Sequence, residues 1–91
     1  MLRRVLKASD GSLFEVFIGY PTETDKGDFA CSYIIKGSGP DLNAKSIGLD
    51  SVQALMLSLK SIGSQLNLMQ ETESITIYWL DQQSGYGFPS I

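Results

Sequence analysis

Apolar and polar residues alternate with period two over the first third of the chain and with a period of three to four between Asp50 and Met69. The first pattern predicts strands and the second a helix. Runs 2–8 and 13–19 flank Ser9-Asp10-Gly11-Ser12, and an Asp-Gly pair between two strand-like runs predicts a hairpin. In the second run Phe14, Val16 and Ile18 share a core face, with Leu13, Glu15 and Phe17 opposite. Gly19-Tyr20-Pro21 ends that strand, and Thr22 to Asp28 reads as a polar, acidic loop. A third strand follows over 29–36, with Phe29, Cys31, Tyr33 and Ile35 on one face and Ala30, Ser32 and Ile34 on the other. Gly37-Ser38-Gly39-Pro40 turns the chain, and Asn43 to Leu49 predicts a fourth, edge-like strand.

Asp50 supplies an N-cap acceptor, and Gln53 three residues on completes a capping-box arrangement. From there Val52, Leu55, Met56, Leu59, Ile62, Leu66 and Met69 form one apolar stripe, with Gly63 on it either as a point of close approach to a sheet or as a tolerated glycine without a role. Polar residues 70–74 predict the end of the helix, and Ile75 to Leu80 a last strand rich in β-branched and aromatic side chains. The tail, 84–89, is irregular, but Tyr86 and Phe88 predict that it packs back on the domain. The expected fold is α+β: a single domain with an antiparallel meander of four or five strands and one long amphipathic helix, about 50–69, across one face.

Composition agrees with a folded chain of this size, 91 residues with 43% hydrophobic and 19% charged positions. No apolar run approaches the roughly 20 residues that span a bilayer, and the charged start, Met1 to Lys7, reads as a strand rather than a signal peptide. One cysteine allows no internal disulfide, which favours the reducing cytoplasm. The net charge of −3 argues against direct binding of nucleic acid, which needs a dense basic surface.

Two stretches resemble a known pattern: Gly48-Leu49-Asp50-Ser51-Val52-Gln53-Ala54-Leu55, running on to Leu59 and Ile62-Gly63, and Trp79-Leu80-Asp81 followed by Gly87-Phe88-Pro89. Together they resemble an uncharacterised family of small bacterial proteins with an Asp-capped Gln-Ala-Leu helix and a Trp-Leu, then Gly-Phe-Pro, ending. The likeness covers the second half of the chain. It implies a bacterial, cytosolic protein and brings no established activity. Residues 82–86 form a longer stretch than the turn usual in that pattern.

Histidine is absent, and with it the commonest general base and metal ligand. Cys31, on the core face of its strand, is expected to be a buried structural thiol. Glu23, Asp25 and Asp28 share one loop but lack the alternating ligand spacing of a calcium loop, so they read as a solvated acidic loop. Gly37-Ser38-Gly39 lacks the longer glycine pattern and following Lys of a phosphate cradle. No cofactor, metal or catalytic residue is expected.

Opposite the apolar stripe, Gln53, Leu57, Lys60, Ser61, Ser64 and Leu68 carry a single charge. Either the tail, through Trp79, Tyr86 or Phe88, folds over Leu57 and Leu68, or this side of the helix meets a partner. The function expected is a non-catalytic protein-binding module, most concretely a bacterial inhibitor or immunity-type protein that occludes a partner's surface. The alternative is a structural module that associates with a second copy of itself.

Overall fold

The computed structural model describes residues 1–37, 39–81 and 85–89. The elements run β1 (Leu2–Ala8), β2 (Leu13–Ile18), β3 (Thr22–Glu23), β4 (Phe29–Lys36), β5 (Leu42–Gly48), α1 (Ser51–Glu73) and β6 (Ile77–Tyr78). They form one antiparallel sheet with one long helix packed against it, the expected α+β arrangement. β1, β2, β4 and β5 are a meander of neighbouring strands. β3 continues the line of β2 along the first residues of β4, after a break at Gly19-Tyr20-Pro21. The helix then carries the chain back across the sheet, so that β6 pairs with β1 at the opposite edge.

The predicted hairpin is present. Gly11 takes φ +89°, and the Asp10 carboxylate accepts from both the Ser12 amide and the Ser12 hydroxyl. Alternation is also as read: Phe14, Val16 and Ile18 are buried, in register with Leu6, Arg4 and Leu2 of β1 and with Ile35 and Tyr33 of β4. Cys31 is fully buried, its thiol donating to the Gly19 carbonyl at 3.3 Å.

Three elements differ from the sequence reading. Thr22 and Glu23 form a short strand rather than a loop, because the chain leaving Pro21 still lies alongside β4 and can exchange ladder bonds with it. The last strand shrinks from Ile75–Leu80 to Ile77–Tyr78, since β1 offers partners only at Lys7 and Ala8. The helix continues past 69 to Glu73: residues 70–73 are polar but contain no breaker, and the chain stops where Ser74 enters the left-handed region at φ 54°. Gln70 closes that end, its carbonyl accepting from the Ser74 and Ile75 amides and its side-chain oxygen from Ile77 N–H at 2.8 Å.

The helix also sits in a different rotation from the apolar stripe. Val52 and Met56 are 62% and 52% exposed, whereas Ala54, Ser58, Ile62 and Leu66 form the buried ridge, flanked by Leu55, Leu59 and Met69. The reason is size rather than polarity. The helix packs principally on β4 and β5, and small side chains on the inward line let the backbones approach. Gly48, at the end of β5, lies directly under the first turn, where a Cβ would run into the Ala54 backbone. Ser58 satisfies its hydroxyl by donating to the Cys31 carbonyl at 2.7 Å, so its burial leaves no orphaned polar atom. No helix among the described residues is long and apolar enough to cross a membrane.

Candidate functional site

The helix start is fixed by its caps. Asp50 accepts from Gln53 N–H at 2.7 Å, and the Gln53 side chain reaches back to the Leu49 amide at 2.5 Å. The box thus closes one residue earlier than the usual pairing, onto the residue before the cap. Gln53 is exposed but committed, which makes it part of the scaffold of the surface beside it.

Of the other side chains singled out on the outer face, Leu57, Lys60, Ser64 and Leu68 are exposed. Ser61 is half-buried and hydrogen-bonded to Tyr33 of β4, on the flank of the helix that turns toward the sheet. Burial raises the Tyr33 phenol above its ordinary range, and the bond with Ser61 pulls the other way. Asp50, Val52, Gln53, Met56, Leu57 and Lys60 line a shallow depression along the first half of the helix. Leu49, 83% exposed, stands at its head. This apolar run of Leu49, Val52, Met56 and Leu57 was missed because Val52 and Met56 fit the stripe by spacing. The signal that could have shown it was the pair of small residues, Ala54 and Ser58, one turn apart on the neighbouring line.

The described part of the tail does not cover this surface. Leu57 and Leu68 are 39% and 56% exposed, and the described part of the tail, Gly85 to Pro89, lies on the other flank. Gly63 makes room for it: a Cβ there would collide with the Pro89 carbonyl, so this glycine serves the tail rather than a helix-to-sheet approach. Tyr86 and Phe88 pack against the core, as expected of the aromatic pair. Arg4 holds the segment, donating to the Gly87 carbonyl at 2.8 Å with its guanidinium 3.7 Å from the Trp79 ring centroid and 5.0 Å from that of Phe88. Ser84 and the start of the long stretch after Asp81 lie outside the described residues.

The acidic loop is not one site. Glu23 belongs to β3, and Asp28 is engaged by the Thr24 hydroxyl within the turn. Asp25 and Asp28 share a depression with Lys26, Lys45 and Ile47, so cations already stand beside them. No group of three or more metal-ligating side chains forms among the described residues. Two basic side chains of the open sheet face are ion-paired: Arg3 with Glu15 at 2.6 Å and Lys36 with Asp41 at 3.7 Å. Arg3 and Lys36 also flank the Phe17 ring, at 5.9 and 5.7 Å from its centroid.

Residues 2–90 match the model of a family described as Domain of unknown function (DUF6968). No curated protein matches the chain. No solved structure matches it either.

Proposed function

We propose that this chain, which belongs to the DUF6968 family, is a non-catalytic protein-binding module that docks a partner on the first half of α1. The observation that carries the reading is the exposed apolar run Leu49, Val52, Met56 and Leu57, on a helix whose first ten residues contain one charge, Lys60. Ordinary solvent faces of helices are richer in Lys and Glu, and apolar side chains at such spacing are the anchors by which helices enter grooves. Met56, unbranched and polarisable, suits a contact that must adapt to its partner.

The biological form we favour is an inhibitor or immunity-type protein that works by occlusion in the cytoplasm of a bacterium. Small size supports it, as does an acidic balance that speeds encounter with a basic partner. The cytoplasmic setting is supported by the lone cysteine, held as a buried thiol.

The test is affinity capture from native lysate with the unmodified chain and with a Met56→Asp/Leu57→Asp double variant whose thermal melt matches it. A partner retained by the former and lost by the latter is the expected result. Equal retention by both, or no specific partner, removes the proposal.

The same patch supports self-association as a second reading, because it is apolar and carries few charges to oppose a copy of itself. The free edge of β5 is less suited to that role: an antiparallel pair centred on Lys45 would set two ammonium groups against each other. Sedimentation over a concentration series separates the two. A dimer that persists in Leu57→Asp excludes the helix side as its interface.

A further inference from the structure

Between the tail and the first two strands lies a cavity of 330 Å³, lined by Leu2, Arg3 and Arg4 of β1, Ile18 of β2, Leu59 of α1, and Gly87, Phe88 and Pro89. Its walls are mostly apolar, and it falls at the small end of the range of ligand pockets, roughly 300–1,000 Å³. Two cationic residues border it, but they are not equivalent. Arg3 projects from the opposite face of β1 and is bound to Glu15 through Nε and Nη2. Arg4 projects to the inner face, is half-buried, and has no carboxylate within salt-bridge distance among the described residues.

A half-buried guanidinium with no counter-ion among the described residues is an expensive group to keep beside apolar walls. Arg4 is nevertheless held in place, with Trp79 against its face and one N–H donated to the Gly87 carbonyl. A guanidinium carries five N–H donors in a fixed fork, so this bond leaves donors unspent among the described residues. Stacking removes the rotamer freedom that an arginine would otherwise lose on capturing a ligand, and the planar fork matches a carboxylate in two-point geometry.

We propose that this cavity is a binding site for a small monocarboxylate with an apolar body, its carboxylate on Arg4 and its apolar part among Leu2, Ile18, Leu59 and Phe88. The site is separate from the helix surface proposed above, and the two can stand or fall independently.

Trp79 is the one tryptophan of the chain and stacks on Arg4, so its emission reports directly on the site. The intact protein is titrated with 3-phenylpropionate, with 3-phenylpropanol as the uncharged counterpart and sulfate as an anion without an apolar body, and affinities are confirmed by calorimetry. The expected result is a saturable response to the carboxylate alone. Arg4→Gln weakens it about tenfold or more, the size expected for a charge-assisted hydrogen bond. Because Arg4→Gln also loosens the tail, Leu2→Phe provides a second variant that fills the cavity mouth and leaves the Arg4 clamp intact. It also abolishes the response. Equal binding of the alcohol or of sulfate overturns the assignment, as does a carboxylate response unchanged in both variants, or no response at all.

Discussion

The inner face of the sheet is covered in two different ways. Over β4 and β5 lies a regular helix whose small inward residues bring backbone close to backbone, with Gly48 under Ala54 and Ser58 bonded to Cys31. Over β1 and β2 lies an irregular segment, Gly85 to Pro89, whose placement depends on one arginine and two aromatic rings. The first half is held by shape, where nothing can move without backbone collision. The second is held by side-chain contacts at a partly open surface, and it leaves a cavity. Close packing and a ligand-sized space thus occupy the same face of one sheet, divided along the line of the helix.

That division can be broken most severely at Gly48. Gly48→Ala places a Cβ against the Ala54 backbone, where no flexible side-chain end can yield, and should lower unfolding free energy in urea by about 3 kcal/mol. A loss under about 1 kcal/mol, the scale of ordinary surface changes, would show that the helix start is not held by shape. Arg4→Gln should remove about 1–2 kcal/mol through its lost stacking and hydrogen bond, and should red-shift Trp79 emission. An unchanged emission maximum would dissociate Arg4 from the tail. Gly63→Ala sharpens the contrast with Gly48. It gains about 1 kcal/mol of helix propensity while displacing the Pro89 carbonyl, so stability should change little as Trp79 and Phe88 become more exposed. A large loss of stability there would mean that the tail is as integral as the helix.

The smallest effect lies under the helix, at Tyr33. Burial raises its phenol pKa above the ordinary 10.0, so the folded state resists ionisation more than the unfolded chain does. The stabilisation this represents is fully present below pH 10 and is lost as pH rises through the folded value. Tyr33→Phe should therefore flatten the alkaline limb of the stability profile, and an identical limb in both proteins would assign that limb elsewhere.

Much of the meander was legible because alternation is a property of single residues: Phe14, Val16 and Ile18 announce their face without reference to anything distant. The Asp10-Gly11 turn and the Asp50 cap are equally local. What could not be read from the chain is set by contacts between remote segments. Whether Ala54 or Met56 faces inward depends on how near β5 comes, and that depends on Gly48. The purpose of Gly63 depends on Pro89, which nothing in the helix sequence reveals. Of the candidate surface, Leu57, Lys60, Ser64 and Leu68 were found by periodicity, and Leu49, Val52 and Met56 appeared only once the rotation of the helix was known.

β6 has a consequence for how the molecule opens. Only two of its residues pair with β1, and the loop that this contact closes runs through most of the chain. Loop closure of that span makes it a late step in assembly and an early one to reverse. Trp79 follows directly from β6, so the β6 pairing and the Arg4 contacts are two separate ties on the same stretch of chain. Native-state hydrogen exchange should find the Ser9 amide, which donates to the Thr76 carbonyl at 2.9 Å, opening below the global free energy, ahead of the amides in β4.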